Sequence, residues 1–380
     1  MLPPLPRWAH QSLVRYFAQA RRRAPDGRVV SGHHNINHIA ELRQPLAFLL
    51  GLPSGRVLAK FRTPYPTVEV VPRIWPREAE VLRVVSARLG DVPRCLADFG
   101  EWSLHDYLDG RALAEVAPEG EPVGSGRMAA LADFFARLAG VPADELPPRP
   151  ADWPSESDSR GFLDWLARFT EQEVHQSNRP RFGRLFDEVG MPEDAVDRFL
   201  RSVPEMTRRP FALLHTDVHR ANVVVLEQAA AGERLAVIDW ELALYGDPVH
   251  DLATHLVRMD YDKAEQELMV RLWTDAMRRA DHADATDGLD TDLPVYLRFE
   301  YAQSVFPDVM RAALSLPAHP ADRDLTRAAE RVRRALRRAS EPLALVDALK
   351  DEWEIAQALR RWHAEDQARA GEDAGAEGVA

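Results

Sequence analysis

The sequence predicts an α+β fold, with a small β-rich N-terminal part and a larger helical C-terminal part. Three observations carry this. Short apolar runs separated by turn residues, with one helical stretch among them, fill residues 27–110. Apolar residues then recur at helical spacing from about 111 onward. A single island of short apolar runs, residues 211–239, interrupts those helices.

Taken in order, MLPPLPRWAHQSLVRYFAQARRRA places Trp8, Leu13, Tyr16 and Phe17 on a stripe beside Arg21–Arg23. A helix packed on its own protein is favoured there over one lying on a membrane. RVVSGHHNINHIAEL reads as two strands around a turn and RVLAKF as a third. PREAEVLRVVSARLG has helical spacing at Val81, Leu82 and Val85, and CLADFG and EWSLHDYLDG read as strands or turns that lead into a connector. Leu131, Phe134, Phe135 and Leu138, and then Phe162, Trp165, Leu166 and Phe169, mark two amphipathic helices separated by the Pro-rich loop 141–154. In the island, FALL (211–214), VVVL (223–226) and LAVI (235–238) read as strands, the first two as a pair flanking a polar loop. The segment from 366 has little to bury and is expected to be disordered. The division is 1–105 for the N-terminal part with its leading helix, 106–365 for the helical part, and 366–380 for the tail.

Bulk properties exclude several classes. A formal charge of −12 leaves no basic surplus to neutralise phosphates, so no nucleic-acid partner is expected. No run of 18 apolar residues spans a membrane, and the N-terminus lacks the apolar core of a signal peptide. Cys95 is the only cysteine, which removes intrachain disulfides and cysteine-based zinc clusters and suits a reducing, cytoplasmic setting.

The polar loop LLHTDVHRANVVV (213–225) is the chemical centre. Asp217 and Asn222 lie in it, and Asp239 ends the strand LAVI. Carboxylate and amide oxygens are hard ligands for Mg²⁺, which shares its remaining shell between water and phosphates. On this reading Asn222 and Asp239 hold metal, while Asp217 orients or deprotonates a hydroxyl nucleophile. A zinc site at His215 and His219 would need a helix to put both on one face, and the flanks are strand-like. All but three basic residues are Arg, and one of the three lysines, Lys60, sits inside the apolar strand VLAKF. A compact ammonium there suits phosphate oxygens and one carboxylate, and Glu78 on the following helix is its natural partner. The opposing reading is a strand lysine turned to solvent.

The order VLAKF, PREAEVL, HTDVHRAN, VIDWE resembles the phosphotransferase family of aminoglycoside and related small-molecule kinases over roughly residues 25–345. The resemblance implies a bilobal protein-kinase-like fold with Mg²⁺ and ATP, or GTP, bound between the lobes. It implies that Lys60 meets the α- and β-phosphates, with Glu78 as its ion-pair partner. Asp217 is then the catalytic aspartate, Asn222 and Asp239 the metal ligands, and His215 the residue that opens and braces the loop. SGHHN (31–35) lies where the family keeps its nucleotide-covering turn, so Ser31, Gly32 and Asn35 are the expected cofactor contacts, and 103–110 is the lobe connector. Trp240-Glu241 follow the metal aspartate where protein kinases have Phe-Gly. An actual Asp98-Phe99-Gly100 precedes the catalytic loop and reads as a turn.

Only seven residues separate Asp239 from Asp247, a good N-cap before Pro248, so a peptide-docking segment has no room. The expected acceptor is therefore a small-molecule hydroxyl, aminoglycoside-like among the options. The alternatives are a kinase for Ser or Thr of a biosynthetic peptide and a non-catalytic nucleotide-binding regulator. Asp251 either stabilises the helix start or braces the loop. The acidic run 281–292 reads as a solvated loop, and Glu300 and Asp308 are alternative acceptor contacts. No oligomeric state follows from the sequence.

Overall fold

The computed structural model describes residues 6–31, 35–53, 57–64, 70–228, 232–345 and 349–377. Gly32, expected to cover the nucleotide, lies outside them. The chain forms two compact units. The first comprises residues 1–67, 73–150 and 212–283; the second comprises 68–72, 151–211 and 284–380.

The first unit opens with helix α1 (Arg7–Arg22) and a five-stranded antiparallel sheet. Its strands are β1 (Arg28–Ser31), β2 (Asn35–Leu42), β3 (Val57–Pro64), β4 (Cys95–Asp98) and β5 (Ser103–Asp106), in the order β1-β2-β3-β5-β4. The short α2 (Leu46–Leu49) follows β2, and α3 (Glu78–Arg88) precedes β4. Strand alternation in β3 sorts its side chains onto two faces. Ala59 and Phe61 join Val14, Ala18, Leu42, Trp102 and Leu104 in a core under α1. Lys60 and Arg62 take the opposite face. The buried stripe of α1 is Val14 and Ala18, with Phe17 partly buried, whereas Trp8 and Tyr16 are 72% and 68% exposed. The expected stripe therefore holds only in part, because small residues seat the helix against the sheet. Asp98-Phe99-Gly100 is the β4–β5 turn: Gly100 has φ +86° and its N–H reaches Asp98 Oδ1 at 3.0 Å.

The rest of this unit is β6 (Arg111–Ala112), α4 (Leu113–Val116), α5 (Ser125–Ala139), and then β7 (Ala212–Leu214), β8 (Val223–Gln228), β9 (Gly232–Val237) and β10 (Leu244–Gly246). Two helices close it, here α6 (Pro248–Arg258) and α7 (Lys263–Arg279). The two strands flanking the polar loop do not pair with each other. β7 pairs with β10, and β8 lies between β6 and β9. The loop thus bridges two small sheets, which fixes both of its ends independently. Gly110, at the end of the connector, has to be glycine: a Cβ there would sit 2.5 Å from the Val225 carbonyl of β8.

The second unit is helical, with segments Ser159–Phe169, Arg179–Glu188, Ala195–Ser202, Leu289–Leu314, Asp322–Ala339 and Glu352–Glu377. The last of these runs through the stretch expected to be disordered from 366. There the Asp366 carboxylate accepts Arg181 Nε at 2.8 Å, and Trp362 donates to the Arg181 carbonyl. The acidic run is not uniformly solvated either. Asp292 is fully buried and ion-paired with buried Arg209, and it also accepts the Thr207 N–H at 2.9 Å. Glu300 is buried and accepts Gln303 Nε2 at 2.8 Å, while Asp308 is partly exposed and pairs with Arg311 at 3.6 Å. Among the described residues no helix is long and apolar enough to cross a membrane.

Candidate active site

Every described residue expected to serve catalysis, nucleotide or metal falls in the first unit, whereas the alternative acceptor contacts Glu300 and Asp308 fall in the second. The loop after β7 is held from below by α6. Asp247 caps that helix through the Val249 N–H, with Pro248 in the first turn. Asp251, one turn in, accepts the backbone N–H of His215 at 2.8 Å and of Thr216 at 2.7 Å. Asp251 therefore braces the loop. Burial pushes its carboxyl up to about 7, against the pull of those two N–H groups. Thr216, with φ +59°, and Asp239, with φ +70°, are both left-handed, a conformation that costs about 1–3 kcal/mol for a non-glycine residue. The Thr216 hydroxyl donates to the Leu242 carbonyl at 2.6 Å, tying the two strained segments together.

His215 is fully buried, edge-on to Trp240 at 4.6 Å between centroids. Its Nε2 lies 3.2 Å from the Ile238 carbonyl, and its Nδ1 accepts the Asp217 N–H at 3.2 Å. Burial pushes the imidazole down to about 4, so it is neutral at ordinary pH. Through its Nε2–H it links the loop to the strand end that carries Asp239.

Asp217 is nearly buried and held on three sides. Asn222 Nδ2 donates to its Oδ2 at 2.9 Å, the Arg258 guanidinium from α6 pairs with Oδ1, and His219 Nε2 lies 3.5 Å from Oδ1. Burial opposes its ionisation, but the charge of Arg258 and then the hydrogen bond to His219 outweigh burial and lower the carboxyl below its usual range. Because Asn222 spends its amide nitrogen on Asp217, its oxygen is turned the other way. The Asn222 backbone carbonyl accepts the Ile238 N–H at 2.9 Å, which ties this end of the loop to the strand end that precedes Asp239.

Two residues with no assigned role in the sequence reading belong here. Arg220 donates through Nε to the Met259 carbonyl and through Nη1 to the carbonyls of Ala117, Pro118 and Glu121, at 2.6–3.0 Å. It pins the loop to the end of α6 and to the turn after α4. Arg258 was hidden because it lies 41 residues from Asp217 in a helix whose spacing reads as ordinary amphipathicity.

The expected Lys60–Glu78 pair is not the one formed. Arg62 Nε meets Glu78 Oε2 at 2.8 Å, and its Nη2 meets Asp239 Oδ1 at 2.7 Å and Glu241 Oε2 at 2.8 Å. The forked guanidinium can bridge acids on three segments, which a point-like ammonium cannot. Lys60, two residues earlier on the same face, makes no ion pair or hydrogen bond among the described residues. It is partly buried and close to Arg62, Glu78, Asp239 and Glu241; burial, then Arg62, lowers its ammonium below the ordinary value. It is not a solvent-facing strand lysine. Glu78 also accepts the Trp240 N–H at 2.9 Å through Oε1, so α3 and the segment after Asp239 are joined directly. Asn35 is buried and directs its side-chain amide at Glu241 Oε2, 2.8 Å away, and Ser31 ends β1.

The oxygen donors of Asn222 and Asp239 are of the kind that Mg²⁺ takes, and the backbone bond from Ile238 to Asn222 joins the two segments that carry them. Asp239, however, is now held by Arg62. Burial opposes its ionisation, while Arg62 and Lys60 keep the carboxyl far below its usual range.

The pattern of the phosphotransferase enzyme family matches residues 36–290 of this chain. A choline/ethanolamine kinase of Rattus norvegicus is 23% identical over 177 residues, 46% of this chain and 41% of that protein. The matched stretch thus spans about two fifths of such curated relatives. Among solved structures, an aminoglycoside phosphotransferase candidate from Ralstonia eutropha JMP134 is 14% identical, covers 90% of this chain and 99% of that one, and has a TM-score of 0.51. A choline/ethanolamine kinase family protein from Mesorhizobium loti is 15% identical, with 93% and 98% covered and a TM-score of 0.49. The match over 36–290 covers most of the chain and contains Lys60, Arg62, Glu78, the loop 215–222 and Asp239, so the chain belongs to the phosphotransferase enzyme family.

Proposed function

We propose that this protein transfers the γ-phosphoryl group of Mg²⁺-bound ATP, or GTP, to a hydroxyl group of a small molecule. The observation that carries the reading is Asp217: an ionised, nearly buried carboxylate, aimed by Arg258 and Asn222, on a loop fixed at both ends. Such a group can accept the proton of an acceptor hydroxyl and orient its oxygen for in-line attack. Asn222 and Asp239 would hold Mg²⁺, which supplies charge neutralisation at the phosphates when bound. Lys60 would meet the phosphates, with Glu78 holding α3 in place. The connector after β5 would read the nucleobase through backbone groups, and Ser31 and Asn35 would flank the phosphates. His215 and Asp251 position the loop without touching substrate.

A small acceptor is favoured because residues 240–246 are used up by a 3₁₀ turn and by β10 paired on β7, leaving no extended platform for a peptide. Relatives named as choline/ethanolamine kinases and aminoglycoside phosphotransferases support a small alcohol of this general kind.

Calorimetric titration of Mg·ATP and Mg·GTP into wild type and Asp239→Ala tests the nucleotide half. Metal-dependent binding of either nucleotide by wild type, lost in the variant, is expected; no binding of either by folded wild type would sink the reading. For chemistry, phosphorus NMR of a small-alcohol panel should show product with wild type and none with Asp217→Asn.

A further inference from the structure

Arg62, to which the reaction as proposed gives no role, is the centre of a charge cluster. Its side chain is 4% exposed, and Glu78, Asp239 and Glu241 converge on it from α3 and from the segment after β9. Asn35 secures Glu241 from β2. Three carboxylates thus share one cation, at 2.7–2.8 Å each. The guanidinium satisfies all three through its fork, so the cluster is complete before any metal or nucleotide is present.

We propose that Arg62 is a positioning residue that occupies the place of the metal's charge on Asp239 and Glu241, so that divalent metal loads only together with nucleotide. This rests on the kinase reading above. Metal alone has to displace a buried guanidinium from two of its three carboxylates, leaving it only Glu78, and Mg²⁺ sheds its own water reluctantly. A nucleoside triphosphate removes that obstacle in two ways. Its phosphates complete the metal's oxygen shell, and they give the released guanidinium a new anionic partner. Metal and nucleotide therefore bind with positive, reciprocal coupling. Lys60, which has no ion-pair partner among the described residues, is left to the phosphates throughout.

The test uses nucleotide-free full-length protein and Mn²⁺ as the probe. Thermal denaturation and calorimetry are run in EDTA and in Mn²⁺ for wild type, Arg62→Met, Arg62→Lys and the double variant Arg62→Met with Asp239→Ala. Wild type should show no Mn²⁺-dependent shift in melting midpoint. Arg62→Met should melt lower in EDTA, regain stability with Mn²⁺, and bind the ion at least about tenfold more tightly than wild type, the scale on which groups around a metal site act. The double variant should lose that gain. Arg62→Lys keeps the charge but covers one acid at a time, so it should respond between the two. A purely structural ion pair would lower stability without creating a metal site. Arg62 variants whose Mn²⁺ response equals that of wild type would overturn the proposal, and Arg62→Lys decides alone if Arg62→Met does not fold. The kinase reading fails separately, by absence of nucleotide binding, because the Mn²⁺ measurement uses no nucleotide.

Discussion

Replacing Arg220 by Met removes a side chain that ties the loop 215–222 to two other segments at once. Four carbonyls lose a donor: Met259 at 2.9 Å, Ala117 at 2.6 Å, Pro118 at 3.0 Å and Glu121 at 2.9 Å. Pro118 and Glu121 are exposed, and their carbonyls can turn to water. Ala117 and Met259 are buried, and each orphaned acceptor costs about 1–3 kcal/mol. The methionine keeps most of the packing of the aliphatic stem, so the expected loss is about 2–5 kcal/mol. Urea unfolding of wild type and Arg220→Met at one pH measures it. Arg127→Met is the control, since Arg127 makes a partly exposed pair with Glu233 and one long contact, 3.4 Å, to the Val123 carbonyl, and should cost about 0–1 kcal/mol. An Arg220→Met protein no less stable than the Arg127→Met control would refute the claim that this guanidinium anchors the loop.

Three further outcomes follow from the same structure. His215, His250 and His255 are buried, with imidazoles pushed down to about 4, 3 and 4 respectively, so the unfolded chain binds more protons than the folded one below the ordinary value of 6.5. Their contribution is fully present above pH 6.5 and is lost as pH falls towards 4; His255→Gln should flatten that part of a pH–stability curve, and an unchanged slope would count against it. Breaking the buried Arg209–Asp292 pair by Arg209→Met should cost about 3–5 kcal/mol, read by chemical denaturation, because it strands a buried carboxylate. Gly110→Ala should destabilise by about 1–3 kcal/mol in the same assay, since the Val225 carbonyl of β8 is backbone and cannot step aside for a Cβ.

Much of this protein can be read from the chain without coordinates. Short-range pattern fixes the strand and helix identities in residues 27–110, since period-2 and period-3.6 burial is written by near neighbours. The spacing of Asp217 and Asn222 and the position of Asp239 at a strand end likewise single out the residues on which the proposed chemistry rests, because a choice of oxygen donors depends on residue type and short separation. Tertiary structure alone decides the partners. Lys60 and Arg62 share one face of β3, and only the placement of α3 along the strand determines that Arg62 reaches Glu78. Arg258 reaches Asp217, and Asp292 reaches Arg209, across 41 and 83 residues, distances over which no local periodicity carries information. The pairing of β7 with β10 instead of β8 has the same origin: strand propensity says that a segment extends, and long-range packing chooses the edge on which it lies.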